Sequence, residues 1–472
     1  MWAWAHEEPE QQTPEVDASK VLAVLVAHNG DQWLPSTLAA LGRSADRPGW
    51  IIAVDAGSTD MTRRLLEQAV REGVVNRIVL GDPAEGFGHA VNMAVLAAER
   101  EGFQAELLWL LHDDSAPRKD ALAELILAIH TADRDGQYPA IVVPKLLHPK
   151  RRNHPDQMSA VGESIAPSGI RVLTVESGDI DQHQQEPARV LGASTAGMLI
   201  GMPAWRELGG LDPMIPLFRD GVELGWRANT HGMVVRTCPT ASMRHVEAGR
   251  VGLRDSRLAP DSAHADMVAG MSVVVLHSPH PRRTIARLYL QALVNAVGYL
   301  LGKSPSLALG QLRAVVALSR RRPVLIERVR QRAVAAGSAS LRGTSSSPAP
   351  EAADAGDPMP TGLLPDRGWG IRRFAESIAG RISDYYYDLL EDDDQGGMID
   401  ELTGDDFAGG RRQVRLLSPS IVGMAVMAVI TLIASWRLIG FGVLSGPALS
   451  PAPETLGAAW AGWAQTSPGL PG

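Results

Sequence analysis

Residues 107–114 read Leu-Leu-Trp-Leu-Leu-His-Asp-Asp, five apolar residues running into a histidine and two carboxylates. A short apolar run bounded by polar residues is the pattern of a strand buried in a sheet. The carboxyl end of such a strand is where open α/β sheets bind ligands. The same arrangement recurs upstream. Residues 21–27 run into Ala27-His28-Asn29-Gly30, and residues 51–54 into Asp55-Ala56-Gly57-Ser58-Thr59-Asp60. Residues 78–80 lead to Gly86-Phe87-Gly88-His89-Ala90-Val91-Asn92, and 141–143 supplies a fifth run. Helix-like stretches at 61–72 and 121–132 lie between them. This alternation over residues 20–252 predicts an α/β domain, Rossmann-like, with a mainly parallel sheet and flanking helices. A single acid at a strand end is often only the N-cap of the next helix, a role that suits Ser58 or Asp60. Four successive strand ends of this kind point to a site.

Composition narrows the class. A chain of 472 residues, at roughly 150 per domain, holds two or three units. With 45% apolar and 21% charged residues it is neither disordered throughout nor fibrous. The net charge of −8 argues against a nucleic-acid partner, whose phosphates are neutralised by Lys and Arg. Cys238 is the sole cysteine, which excludes an internal disulfide and a CxxC zinc site. Of the 45 basic residues five are Lys, which leaves forty Arg; with abundant Ala and Gly this suggests a GC-rich bacterial genome.

Outside 20–252 the chain divides by composition. Residues 1–19 are expected to be a flexible N-terminus, and their first fifteen carry no cationic and apolar stretches of a signal peptide. Residues 253–336 place Ile285, Leu288, Leu293, Val297 and Leu300 at helical spacing among many arginines. That predicts two or three helices, lying either on a membrane surface or as a plain cap on the first domain. Residues 337–370, rich in Ser, Pro, Ala and Gly, are expected as a disordered linker. An amphipathic helix and an acidic segment follow in 371–418, then a transmembrane helix in 419–445. Its core, 421–444, is apolar save for Arg437 and a few small residues, and about 20 such residues span a bilayer. A buried core helix is the other reading. Arg411, Arg412 and Arg415 precede it, which puts that side in the cytoplasm. Residues 446–472 are then an extracytoplasmic tail or the start of a longer membrane region.

The strand-end residues form a coherent chemical set. An ionised carboxylate such as Asp55 accepts hydrogen bonds from a base or ribose. The glycines of the third loop let backbone approach a ligand. Paired carboxylates after the fourth strand suit a hard divalent ion shared with a diphosphate. The loop is not GxGxxG, and no GxxxxGK[ST] is present.

Further along come Gly197-Met198-Leu199-Ile200, then Glu207-Leu208-Gly209-Gly210-Leu211-Asp212. Phe218-Arg219-Asp220-Gly221-Val222-Glu223-Leu224-Gly225-Trp226-Arg227 and the run 239–245 follow. In this order the motifs resemble family 2 glycosyltransferases, the inverting GT-A enzymes. Within them the chain is similar to the rhamnosyl- and galactofuranosyl-transferase-like members, and its C-terminal half to long membrane-anchored actinobacterial ones. The resemblance implies a cytoplasmic catalytic domain on a bacterial cell membrane. It would move a sugar from a UDP-, dTDP- or GDP-sugar to a lipid-linked or cell-envelope polysaccharide acceptor, as in cell-wall biogenesis.

By the same resemblance Ala27, His28 and Asp55 would hold base and ribose. Ser58, Gly88, Asn92 and Asp113 would complete the donor site. His112-Asp113-Asp114 stands where the family has its DxD-type motif: Asp114 matches the metal-binding carboxylate, and His112 replaces the first acid. His245 matches a late histidine that completes the metal site in some relatives. Imidazole favours softer ions than Mg²⁺, so Mn²⁺ stands beside Mg²⁺ as the expected cofactor. One departure concerns the catalytic base, the second acid of an Glu-Asp-x-Asp motif, which here is Gly221. Asp220 takes its place if the loop turns by one residue, with Glu223 as the next candidate. Otherwise the domain is a degenerate one that binds nucleotide sugar or lipid as a membrane scaffold.

Overall fold

The computed structural model describes residues 17–254, 256–301, 304–341 and 361–365, together with Arg372. A short 3-10 turn leads into β1 (Val21–Ala27), α1 (Leu34–Gly42), β2 (Trp50–Asp55), α2 (Thr62–Arg71), β3 (Arg77–Leu80), α3 (Phe87–Arg100) and β4 (Leu107–His112). Next come β5 (Ser115–Pro117), α4 (Ala121–Ile129), β6 (Pro139–Leu147), β7 (Met158–Ala160), β8 (Glu163–Ile165), β9 (Arg171–Leu173) and β10 (Leu199–Gly201). The remainder is α5 (Met202–Leu208), α6 (Asp220–Thr230), β11 (Val234–His245), α7 (Ser262–Leu276), α8 (Pro281–Leu301) and α9 (Pro305–Leu341), with a single turn at Thr361–Leu363.

Every residue of β1 is buried, and its neighbours alternate between two cores. Leu22, Val24 and Val26 pack on one face with α3; Val21, Ala23 and Leu25 pack on the other with α1 and α4. Successive side chains of a strand point to opposite faces, so a strand covered on both sides reads as an unbroken apolar run. That is why the first and fourth strands stand out in the sequence.

The main sheet runs β3-β2-β1-β4-β10-β6-β11-β5, with β7 beside β6. Pairs β1–β2, β2–β3, β1–β4 and β6–β11 are parallel. Pairs β4–β10, β6–β10, β5–β11 and β6–β7 are antiparallel. The sheet is mainly parallel as expected: β1, β2, β3, β4, β6 and β11 run one way, and the three-residue strands β5, β7 and β10 run against them. β10 slots antiparallel between β4 and β6 and so keeps those two strands pointing the same way. Their carboxyl ends, and that of β11, consequently open on one edge.

The C-terminal helices are tied to this domain rather than set apart from it. Val222 and Trp226 of α6 share a core with Val273 of α7, Ile285 and Leu288 of α8, and Leu318 and Leu325 of α9. The described residues belong to one compact unit. Helix α9 runs past residue 336 to Leu341, into the stretch expected as linker. Further into that stretch, Leu363 and Leu364 pack against the same core, and Ser164 Oγ donates to the Leu363 carbonyl at 2.6 Å. Among the described residues no helix is long and apolar enough to cross a membrane. The expected amphipathic helix (apart from Arg372) and transmembrane helix, at 371–418 and 419–445, lie outside the described residues.

Candidate active site

The open edge of the sheet forms one cavity. His112 ends β4, Asp113 and Asp114 follow it, and His245 ends β11; Asp220 starts α6, and all five line the cavity. One ligand atom from each of His112, Asp114 and His245 lies within 4.8 Å of the others. Asp114 Oδ1 is 3.4 Å from His245 Nε2, while Asp114 Oδ2 accepts from the Ala248 amide at 2.8 Å. Burial would raise Asp114, but the His245 charge and hydrogen bond outweigh it and hold the carboxyl well below its usual range. Burial opposes the charging of His245, and the Asp114 carboxylate more than offsets this and raises it. His112 is pushed down to about 3 by burial and by the nearby His245 charge. Its Nε2 meets Thr195 Oγ1 at 2.9 Å, and Phe87 stands edge-on to its ring at 4.7 Å.

These donors fit a divalent cation. Asp114 is kept ionised, His112 is kept neutral, and His245 Nδ1 is buried with no hydrogen-bond partner among the described residues. A set of two imidazoles and one carboxylate suits Mn²⁺ better than Mg²⁺, which prefers oxygen throughout.

Asp113, expected at the donor, acts first on the protein. It accepts from the His28 amide at 2.9 Å and pairs with Arg254, whose Nη1 is 3.0 Å from Oδ2. Burial pushes it up to about 6 against the pull of Arg254. His28 lines the cavity, and its Nδ1 meets the Ala56 carbonyl at 2.7 Å. Asp55 and Ser58 form a hinge between loops: Ser58 N donates to Asp55 Oδ1 at 2.9 Å, and Asn29 N donates to Ser58 Oγ at 3.1 Å. Ala27 is buried in the sheet, paired across from Asp55.

Ala27, Asp55, Ser58, Gly88 and Asn92 are not among the described residues that line the cavity. A Cβ on Gly88 would sit 2.8 Å from the Leu211 side chain, and one on Gly210 would sit 3.0 Å from Asn92 Oδ1. The glycine serves close packing of α3 on the loop before α6, and it is Gly86 and Phe87 that face the cavity.

Asp220 is buried, lines the cavity, and is pushed up to about 7 by that burial. Its Oδ1 accepts from the Gly221 amide at 3.0 Å. The turn that presents it is made by Phe218, at φ 72° in the left-handed region where a bulky residue is strained. Arg171 holds that turn: its Nη2 donates to the Phe218 carbonyl at 3.0 Å. Gly221 is helical, and its reason lies elsewhere. A Cβ there would be 2.1 Å from the Ala193 carbonyl oxygen, so no carboxylate fits at this position.

Glu223 stands apart from the cavity and is fully buried. Arg227 binds both of its oxygens, Arg332 Nη2 reaches Oε1 at 2.6 Å, and His277 Nε2 lies at 3.3 Å. Burial raises it, and these cations outweigh burial to hold it well below the usual range. The sequence reading missed Arg250 and Arg254, which line the cavity just past β11. Two arginines closely following the last strand-end histidine were the available signal.

A search of curated proteins found no match. Several solved structures are similar at low identity. GalNAc-T7 with UDP, GalNAc and Mn²⁺ matches at 16% identity and TM-score 0.41, over 54% of this chain and 48% of that one. The chain thus spans about half the length of that relative. The mannosyltransferase PcManGT from Pyrobaculum calidifontis, in complex with GDP-Man and Mn²⁺, matches at 14% and 0.37, over 68% and 80%. TarS 1-349 of S. aureus in complex with UDP matches at 15% and 0.37, over 70% and 93%. The family model described as "Glycosyltransferase like family 2" matches residues 19–259, which is 241 of the 472. That span holds the sheet and every residue placed around the cavity, so the chain belongs to glycosyltransferase-like family 2.

Proposed function

We propose that the chain is a metal-assisted inverting glycosyltransferase of GT-A type. It takes a UDP-, dTDP- or GDP-sugar and transfers the sugar to a hydroxyl of a lipid-linked or cell-envelope polysaccharide acceptor. One observation carries this reading: the ion-binding set of His112, Asp114 and His245 and the isolated carboxylate of Asp220 line the same cavity. An Mn²⁺ held by that set would neutralise charge on the departing diphosphate. Arg250 and Arg254 line the same wall, paired with Glu247 and Asp113. Asp220 removes the acceptor proton as the hydroxyl attacks. A base works best with a pKa near the operating pH, and burial brings Asp220 there. Thr195 and Phe87 hold the His112 ring in place.

The apolar stretch 421–444 and the arginines before it support a place at a bacterial cell membrane with the cavity in the cytoplasm, where nucleotide sugars are made. The test is a thermal-shift screen of the full chain with UDP-, GDP- and dTDP-sugars, with and without Mn²⁺. A ligand that binds only the folded state raises the melting temperature. The expected result is a metal-dependent shift with one nucleotide class and release of its nucleoside diphosphate. No shift with any of them would refute the reading. A shift with no turnover on any acceptor would favour a nucleotide-sugar-binding scaffold.

A further inference from the structure

Helix α8 is apolar on both of its faces. Ile285, Leu288, Ala292 and Ala296 face the core shared with α6 and α9 and are all but fully buried. Leu290, Leu293, Val294, Val297 and Leu300 face the other way, and each is at least half exposed. Their spacing of three and four residues makes one continuous stripe along the helix. Helix α9 adds exposed Leu309, Leu312 and Val316 at the same spacing. Single exposed leucines are ordinary on a protein surface, but contiguous stripes of this kind mark an interaction face. A helix that is apolar all round is otherwise found wholly buried.

Charge identifies the occupant. Between residues 281 and 334 there are eleven Lys and Arg and one acid, Glu327, whereas the whole chain carries −8. Arg287, Arg321, Arg328 and Arg332 bond inward to the protein. Arg282, Arg283, Arg313, Arg320, Arg322 and Arg330 are exposed. On a helical wheel Arg283 falls within the α8 stripe, and Arg313 and Arg320 fall beside that of α9. A second copy seated face to face would bring two such basic faces together, which is repulsive. An apolar stripe edged by arginine matches the boundary between acyl chains and anionic headgroups. Eighty residues after α9, the chain reaches the apolar stretch 421–444, of membrane-spanning length.

We propose that the exposed face of α8 and α9 docks on an anionic bilayer surface. Docking holds the cavity beside the membrane independently of any spanning segment. The proposal does not rest on the catalytic reading and survives if that fails.

The test uses the full chain carrying Val297→Cys, incubated with lipid nanodiscs and labelled with a water-soluble maleimide. Cys238 is buried and gives a low background. Tyr138→Cys, 65% exposed in the loop before β6, serves as the control on the sheet domain. In discs of mixed phosphatidylcholine and phosphatidylglycerol, labelling of Val297→Cys should slow about tenfold or more relative to the control. Adding Arg283→Ala and Arg313→Ala should restore most of the rate. Equal labelling in anionic discs and in buffer overturns the proposal. So does protection of the same size in phosphatidylcholine alone, or protection seen only when two copies share a disc.

Discussion

Replacing Asp220 by Asn separates its two consequences. The carboxyl is buried at the start of α6 and accepts from the Gly221 amide. An Asp that moves from 3.8 when unfolded to about 7 when folded holds its proton more tightly in the folded state. Stability from this group is therefore present below pH 4 and is lost as pH rises toward 7. A shift of about three units corresponds to about 4 kcal/mol at pH 8, at 1.36 kcal/mol per unit. Asn keeps the shape and carries no charge. Asp220→Asn should thus melt higher than wild type at pH 8 and nearly level with it at pH 4. Turnover should fall about 10²- to 10⁴-fold, the usual worth of a positioned base. Wild-type activity should climb through pH 7 as Asp220 ionises, and the residual activity of the variant should not. The assay is release of nucleoside diphosphate from the donor giving the largest thermal shift, run beside melting curves from pH 4 to 9. A variant that turns over normally, with an unchanged pH profile, would falsify the assignment whatever its stability.

Asp114→Asn should weaken Mn²⁺-dependent donor binding more than tenfold while the circular dichroism spectrum stays native; equal metal dependence in calorimetry removes it from the site. Gly221→Asp, which restores the family's acid, should not rescue activity. Its Cβ meets the Ala193 carbonyl at 2.1 Å, and overpacking of that kind costs at least about 1–3 kcal/mol, to be read from the urea midpoint. Glu223→Ala leaves Arg227 and Arg332 facing an empty buried site and should cost about 3–5 kcal/mol. Full stability in that variant, with lost turnover, would return Glu223 to the chemistry. A chain ending at residue 252 should not melt cooperatively, whereas one ending at residue 341 should, by circular dichroism.

The strands that carry the site were legible because burial on both faces leaves nothing polar in β1 and β4 to interrupt an apolar run. β10 was not, since three residues give no period to read, and with it went the antiparallel insertion between β4 and β6. His112 and Asp114 could be picked out at the end of an apolar strand run, whereas His245 and Asp220 were legible only through the resemblance of their motifs to the family. Gly88 misled for a general reason: a glycine marks close approach, and the approaching group here is Leu211 rather than a ligand. Glu223 misled because its partners are remote in sequence. A carboxylate one turn into a helix reads as available until Arg332 of α9 is brought against it.

That remote pairing also explains why the catalytic domain does not end where its last strand does. Asp212 is buried in the loop before α6, and its cations are Arg328 and Arg332 of α9. Glu223 draws on Arg332 and on His277, just past α7. Asp113, beside the ion-binding set, draws on Arg254. All three acids lie before residue 252 and all of these partners lie after it. Breaking a buried pair by removing one member costs about 3–5 kcal/mol, and a whole domain is stable by only about 5–15 kcal/mol. Three such losses, about 9–15 kcal/mol together, are as large as that whole stability. The first turn of α6 is held twice by this arrangement: the Arg171-bound turn fixes Asp220 in the cavity, and α9 clamps Glu223 three residues later. The helix that presents Asp220 is therefore positioned by the helices that carry the exposed apolar stripes, so whatever occupies those stripes contacts the same compact unit as the cavity.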